Sequence, residues 1–211
     1  KKNVKDVNAV VYSSAINQNN PEIIEAKKNK IPIVSRADML GELMKNKKCI
    51  AIAGSHGKTT TTSLVGNILE SGNLDPTIVN GGIINSFSKN NKFGKGEWMV
   101  VEADESDGSF LKLPHQISII TNLDTEHLDY YKSTKNLYLA FESFINNLPF
   151  YGITIVNQDD KNLKKLIKTN DTRKIISFSK KNKKANIFIE MIKFENEFSI
   201  FKLKFNIPIN N

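Results

Sequence analysis

The 211-residue sequence is poor in several residue types, and each shortage argues against a class of protein. Its single cysteine, Cys49, excludes an intramolecular disulfide framework and a cysteine-based zinc site. No window contains about 18 consecutive apolar residues, so the sequence predicts no transmembrane helix. Only two of the 30 basic residues are arginines, Arg36 and Arg173. Because arginine makes the commonest specific contacts with bases, a sequence-specific nucleic-acid reader is not favoured.

The positive charge is concentrated towards the end of the sequence. The formal net charge is +8, and residues 160–204 contain 13 basic and 5 acidic side chains, so this segment accounts for the whole excess. Lysine runs of this kind usually form a solvated surface, and a patch for an anionic partner is the alternative.

The hydrophobic pattern predicts an α/β protein with two units. In residues 1–36, short strands around a helix that begins at Pro21 indicate the C-terminal part of a Rossmann-like domain. Ser35 and Asp38 have the spacing of a capping box for the next helix. Residues 37–211 are predicted to form a P-loop-type, mostly parallel sheet flanked by helices, with an antiparallel hairpin extension at residues 186–206.

A strand, a glycine-rich loop and a helix follow one another from Cys49 to Gly72. Backbone N–H groups of such a loop bind polyphosphate, its lysine neutralises the β- and γ-phosphates, and its threonine hydroxyl reaches Mg²⁺. The P-loop pattern is incomplete because Ile52 occupies the first glycine position, so a tight turn with an incidental lysine is the alternative. The predicted apolar face of the helix comprises Leu64, Val65, Ile68 and Leu69. The predicted ATP-binding residues are Gly54, Ser55, His56, Gly57, Lys58, Thr59 and Thr60.

Two acidic clusters follow later predicted strands. The carboxyl ends of parallel strands meet at one edge of a sheet, so both clusters are expected to face the phosphate loop. Carboxylates suit Mg²⁺, but the spacing leaves open which one binds, and helix capping is the alternative. By itself His127 is typical of a hydrogen-bonding loop residue. The first cluster contains Glu102, Asp104, Glu105 and Asp107, and the second contains Asp124, Glu126, His127 and Asp129.

Together these motifs resemble those of the Mur ligases, the ATP-dependent amide ligases of peptidoglycan precursor synthesis. The resemblance covers residues 7–160 well and is weak beyond them. Within the family, the motifs are most similar to those of members that join L-alanine to UDP-N-acetylmuramate. The segments that carry the resemblance are residues 53–62, 75–82, 102–111, 121–129 and 147–152, with residues 13–16 and 31–37 similar to the family's nucleotide-sugar domain.

The resemblance implies ATP and Mg²⁺ as cofactors, and UDP-N-acetylmuramate and L-alanine as substrates. It makes Lys58, Glu102 and His127 catalytic, and Thr59, Glu102 and His127 metal ligands. Residues 1–36 become part of a UDP-binding domain. The implied substrate-binding residues are Ser13, Ser14 and Ala15 along UDP, and Asn80, Gly81, Gly82, Glu105, Ser106, Asp107 and Asp129 on the muramoyl side.

The resemblance also implies amide formation through an acyl phosphate, in the cytoplasm, with no nucleic-acid or membrane partner. The sequence does not give the oligomeric state. One alternative is a ligase that attaches a recycled tripeptide to the same sugar nucleotide, although residues 105–110 favour the alanine enzyme. Another is a nucleic-acid-binding NTPase that uses the lysines of residues 160–204. Family members have further segments before Lys1 and after Asn211, so we expect the 211 residues alone to be inactive.

Overall fold

The computed structural model describes residues 2–84, 89–169, 173–195 and 198–207. Two short 3₁₀ turns, Lys2–Val4 and Ser109–Lys112, accompany the helices and strands. In chain order these are β1 (Val10–Tyr12), α1 (Pro21–Lys28), β2 (Ile33–Ser35), α2 (Arg36–Met44), β3 (Lys48–Ala53), α3 (Lys58–Ser71), β4 (Thr77–Ile84), β5 (Lys89–Lys92), β6 (Trp98–Glu102), β7 (Ile117–Ile120), α4 (Leu128–Tyr131), α5 (Thr134–Asn146), β8 (Ile153–Asn157), α6 (Lys161–Thr169), β9 (Lys174–Ser179), β10 (Ile187–Glu195) and β11 (Phe198–Phe205).

The described strands form two sheets. β1 and β2 pair in parallel with α1 between them in the chain, which is the β-α-β arrangement expected for part of a Rossmann-like domain. The larger sheet has the order β11-β10-β9-β8-β7-β3-β6-β4-β5. All neighbours from β10 to β4 are parallel, and an antiparallel strand pairs at each edge. The predicted α/β class, mostly parallel sheet and C-terminal hairpin are therefore confirmed, whereas β4 and β5 were not predicted.

The central strand β3 separates two apolar layers. Successive side chains of a strand point to opposite faces, so Ile50 and Ile52 pack towards Val65 and Leu69 of α3. On the other face Cys49 is fully buried, and burial raises the pKa of its thiol to about 12. The thiol therefore stays neutral at ordinary pH, as expected for a structural cysteine. The same face of the sheet borders a larger core that contains Phe110, Phe141 and Phe144.

The apolar face predicted for α3 is wrong at two of its four positions. Leu64 and Ile68 are 57% and 69% exposed, respectively. The helix instead approaches the sheet so closely that a Cβ at Gly66 would lie 2.5 Å from the side chain of Ile78. Small residues therefore occupy part of the contact, and the stripe that faces the sheet consists of Thr62, Val65, Gly66 and Leu69.

The start of α2 confirms the predicted capping interaction. The Ser35 Oγ atom accepts a hydrogen bond from Asp38 N at 3.1 Å and donates one to the Asp38 carboxylate at 2.5 Å. The Ser35 hydroxyl also lowers the pKa of Asp38, and a hydrogen bond from Lys112 adds to this effect. Since Lys112 lies in the segment after β6, this ion pair links the start of α2 to that segment.

His115 is buried in the core although it carries a titratable ring. The ring stacks on Phe144 at 4.3 Å between centroids, and Nδ1 lies 2.8 Å from the carbonyl oxygen of Leu113. Among the described residues, none is a hydrogen-bond partner of Nε2. Burial lowers the pKa of His115, and the contact with Leu113 only partly opposes that effect.

We expect this burial to make the folded state less stable at acidic pH. As the pH falls below about 6.5, the unfolded imidazole takes up a proton more readily than the buried ring does. Above about pH 6.5 the ring is neutral in both states and burial carries no such cost. Below that pH, the free energy of unfolding decreases by up to about 1.4 kcal/mol per pH unit. Urea unfolding of the protein and of His115→Gln at neutral and mildly acidic pH measures this dependence. An equally steep loss in both proteins would contradict the prediction.

Candidate functional site

The glycine-rich loop joins the end of β3 to the start of α3, and its backbone depends on two glycines. Gly54 has φ = +130° and Gly57 has φ = +81°, both in the region that L-residues with side chains rarely adopt. A Cβ at Gly54 would also lie 2.2 Å from the hydroxyl of Thr121, whereas nothing lies within 4 Å of one at Gly57. Gly54 is therefore required for both conformation and space, and Gly57 for conformation alone.

The loop is held in shape by the segment that follows β7. His56 N donates to Asn122 Oδ1 at 2.8 Å, and the His56 carbonyl accepts from Asn122 Nδ2 at 2.9 Å and Thr121 Oγ1 at 2.7 Å. One step further, Asp124 N donates to Ser55 Oγ at 2.8 Å. The His56 ring is exposed, with Nε2 3.3 Å from the Asp124 carboxylate. These bonds tie the backbone of the loop to the segment that follows β7.

Lys58 lies at the first position of α3 and points back over the loop. Its Nζ atom donates to the carbonyl of Gly54 at 2.8 Å and to Glu105 Oε1 at 3.0 Å. The side chain of Lys58 is 12% exposed and that of Glu105 only 1%. The ammonium therefore stays at the mouth of the loop, where it can meet an anion.

Next to Lys58 in α3 is Thr59, which contacts the other predicted metal ligand from the strands, Glu102. Thr59 Oγ1 donates to Glu102 Oε1 at 3.2 Å, and Gly81 N donates to Glu102 Oε2 at 2.8 Å. Asn80 ties the middle of β4 to α3, since its Nδ2 lies 3.2 Å from the Thr59 carbonyl and 2.8 Å from Ser63 Oγ. The expectation that strand ends from separate parts of the chain meet at the loop is thus confirmed for Glu102.

The oxygens of Thr59 and Glu102 fit a magnesium ion that also takes ligands from phosphate and water. Two adjacent ligands of an octahedral Mg²⁺ lie roughly 3 Å apart, close to the separation seen here. His127 lies further along, with Nε2 3.7 Å from Glu105 Oε1. Within the described parts of the chain, no group of three or more histidine, cysteine, aspartate or glutamate side chains forms a metal site. The assignment of His127 as a ligand stays a prediction.

A second site is a cavity of about 320 Å³ between the N-terminal unit and the segment after β6. It contains two of the predicted substrate residues, Ser14 and Asp107. Burial alone would raise the pKa of Asp107, but hydrogen bonds from the Ser109 side chain and backbone and from Ser14 outweigh it and lower the pKa. The cavity is lined by Tyr12, Ser14, Ser35, Arg36, Ala37, Asp107, Gly108, Ser109, Lys112 and Tyr130.

Arg36, Lys112 and Tyr130 are cavity residues that sequence reasoning did not select. Arg36 is one of only two arginines, a signal that could have drawn attention to it. Lys112 and Tyr130 lie far from Arg36 in the sequence and belong to no motif. Only the fold brings the three residues to one cavity.

The other predicted substrate residues lie outside the lining of this cavity. Asp104, whose metal contact the sequence left open, accepts from Ser106 N and Oγ at 3.2 and 2.9 Å and shapes an exposed turn. Asp129 is exposed on α4. Ser13 and Ala15 lie in the turn after β1, and Gly82 lies within β4. Thr60, which was predicted to bind ATP, lies in the first turn of α3. Their proposed roles stay predictions.

The fold and the glycine-rich loop define an α/β protein of phosphate-loop architecture, and family models give its family. Residues 52–210 match the model described as Mur ligase middle domain, and residues 1–48 match the model described as Mur ligase family, catalytic domain. The chain belongs to the Mur ligase family. The resemblance seen in the motifs is therefore confirmed, while the division between residues 36 and 37 stays a prediction.

Two relatives of this chain are alanine ligases by name. The UDP-N-acetylmuramate--L-alanine ligase of Agrobacterium fabrum is 48% identical over 96% of this chain and 43% of its own length. The crystal structure of UDP-N-acetylmuramate-alanine ligase from Thermotoga maritima is 29% identical, with a TM-score of 0.79 over 95% of this chain and 45% of that chain.

A third comparison shows the fold alone. UDP-N-acetylmuramate:L-alanyl-gamma-D-glutamyl-meso-diaminopimelate ligase from Neisseria meningitides is 20% identical, with the same TM-score of 0.79 over 97% of this chain and 67% of that chain. The present chain spans about two fifths of the length of the curated relatives it matches. Across its described residues, no helix combines the length and apolar character needed to cross a membrane.

Proposed function

We propose that this chain is the nucleotide-binding part of an ATP-dependent ligase that joins L-alanine to the carboxylate of UDP-N-acetylmuramate, in the cytoplasm. The observation that carries the proposal is 48% identity over almost the whole chain to a relative of that name. The fold alone does not indicate which amine is the substrate, because structures of an alanine ligase and of a peptide ligase have equal TM-scores to this chain.

ATP would bind across the loop between β3 and α3. The N–H groups of Gly57 and of Thr60 at the start of α3 would contact the phosphates, and the helix dipole favours their negative charge. The N–H groups of Ser55 and His56 already donate to Asn122, so these two residues and Gly54 would shape the loop around the phosphates. The Lys58 ammonium contacts the Gly54 carbonyl and the Glu105 carboxylate at this loop, and there it would neutralise the β- and γ-phosphates.

Thr59 and Glu102 are the residues best placed to hold Mg²⁺. When bound, the ion would neutralise charge on the phosphates, and His127, whose Nε2 lies 3.7 Å from Glu105 Oε1, is proposed as a further ligand. The hydrogen bond from Gly81 N to Oε2 leaves the Oε1 atom of Glu102 directed at Thr59.

The reaction must make a poor electrophile react with an amine. A carboxylate oxygen of the sugar nucleotide attacks the γ-phosphorus and the bond to ADP breaks, which gives an acyl phosphate. The amine nitrogen then attacks the carbonyl carbon, the C–O bond to phosphate breaks, and the nitrogen loses a proton. The protein's contribution is to position the reactants and to neutralise charge through Lys58 and the loop N–H groups, so no covalent nucleophile is required.

The cavity that Ser14 and Asp107 line is proposed to receive the sugar nucleotide. Arg36 and Lys112 provide positive charge on its wall, and Ser14 with Asp107 provides hydrogen-bonding groups. Since it lies between the two units, a ligand bound there would contact both of them.

The complete gene product, assayed with ATP, Mg²⁺ and UDP-N-acetylmuramate, tests the proposal. We expect phosphate release and amide formation with L-alanine and at most a few per cent of that rate with the tripeptide L-alanyl-γ-D-glutamyl-meso-diaminopimelate. Turnover with the tripeptide alone would show the recycling activity instead. Adding DNA or RNA to the assay is expected to leave the rate unchanged, and a nucleic-acid-dependent ATPase without amide formation would contradict the proposal.

A further inference from the structure

Glu105 is a buried anion beside a site that is proposed to bind a more highly charged anion. Its side chain is 1% exposed, and it is the only buried acidic residue in the described part of the chain. A buried carboxylate is costly unless it is paired, and it repels phosphates nearby. The contacts of Glu105 must therefore offset both the cost of its burial and its repulsion of phosphate.

The contacts of Glu105 connect two of the predicted catalytic residues. Oε1 accepts from Lys58 Nζ at 3.0 Å and lies 3.7 Å from His127 Nε2. Oε2 is 2.9 Å from the same ammonium but receives no well-directed hydrogen bond from the described residues. One carboxylate therefore faces Lys58 on α3 and His127 at the start of α4.

The backbone of Glu105 is fixed as well. Its carbonyl oxygen accepts from Tyr131 Oη at 2.5 Å, and Tyr131 lies in the short helix α4 that begins directly after His127. His127 itself has φ = +56°, so the helix starts from a constrained backbone. Glu105 therefore contacts both ends of this segment: its side chain lies near His127, and its carbonyl is bonded to Tyr131.

We propose that Glu105 is a positioning residue that holds Lys58 and His127 on one fixed anion, an inference that rests on the proposed ligase function. Before nucleotide binds, the carboxylate keeps the Lys58 ammonium over the loop. When phosphates enter, they compete with Glu105 for that ammonium, so part of the binding energy is used to set the geometry of the reacting groups. Glu105 would thereby weaken nucleotide binding and accelerate the chemical step.

The variant Glu105→Gln in the complete gene product separates these two effects, because it keeps the shape and removes the charge. We expect kcat to fall about 30-fold or more, with KM for ATP within about threefold of the wild-type value, because transition-state interactions are lost while ground-state binding is kept. ADP without Mg²⁺ is expected to bind at least as tightly as to the wild type, measured by titration calorimetry. Glu97→Gln, which changes an exposed ion pair with Lys48, is the matched control.

Tyr131→Phe provides a second, milder variant, because it removes only the hydroxyl that holds the Glu105 carbonyl. A smaller loss of kcat with unchanged ADP affinity is expected. A kcat within threefold of wild type in Glu105→Gln, or ADP binding that weakens more than threefold in either variant, would overturn the inference. If the wild-type protein formed no amide, the proposed function would fail, and the metal-free ADP titration alone would then decide the role of Glu105.

Discussion

Replacing Lys58 by alanine is expected to lower kcat/KM for ATP by roughly 10²- to 10³-fold, the usual effect of removing one charge-stabilising donor from a preorganised site. Lys58 is the lysine that points over the phosphate loop, and its Nζ atom is held by the Gly54 carbonyl and the Glu105 carboxylate. Removing it leaves the carboxylate of Glu105 unpaired next to the phosphates, so repulsion adds to the loss of attraction. Steady-state phosphate release measures the effect.

Lys48→Ala is the matched control for this prediction. Lys48 lies on the same strand-loop-helix segment, but its side chain is 58% exposed and pairs with Glu97 on the surface. Surface pairs of this kind contribute little, so we expect its kcat/KM to stay within about twofold of wild type. Equal effects in Lys58→Ala and Lys48→Ala would show that the loop lysine has no special function.

The second large effect is expected at Gly54. In Gly54→Ala the new methyl group would lie 2.2 Å from Thr121 Oγ1 and 2.9 Å from the Asn122 carbonyl, on a backbone with φ = +130°. Steric overlap and backbone strain together should destabilise the fold by about 3 kcal/mol or more, or displace the loop from the end of β7. Urea unfolding gives the stability, and ADP titration reports whether the loop still binds nucleotide.

Gly57→Ala separates strain from overlap. Gly57 has φ = +81°, but a Cβ there would have no neighbour within 4 Å. The cost should therefore be the left-handed conformation alone, about 1 to 2 kcal/mol. A loss of stability at Gly57 equal to that at Gly54 would contradict the geometry of the loop.

Local signals predicted the parts of the fold that local forces determine. Ser35 and Asp38 form the expected cap because a capping interaction involves only four consecutive residues. Glu102 was placed at the loop because the ends of parallel strands meet at one edge. The alternating residues of β10 and β11 gave the hairpin, since strand periodicity depends on nearest neighbours.

The features that were missed depend on contacts between distant segments. Leu64 and Ile68 have the helical spacing of a buried face, yet Gly66 lets α3 approach the sheet along a different stripe. Burial of His115 comes from packing against Phe144 on α5. The ion pair between Lys58 and Glu105 joins residues 47 positions apart, and no sequence spacing indicates it. In each case the tertiary environment, rather than local propensity, sets the outcome.

In the proposed reaction, the parent protein would activate a carboxylate by phosphorylation before the amide forms. Its most direct test is to supply UDP-N-acetylmuramate with both carboxylate oxygens labelled as ¹⁸O, together with ATP, Mg²⁺ and L-alanine, and to analyse the released phosphate by mass spectrometry. We expect one labelled oxygen in each phosphate and one in the amide product. Unlabelled phosphate formed alongside the amide, or label recovered in AMP, would contradict it.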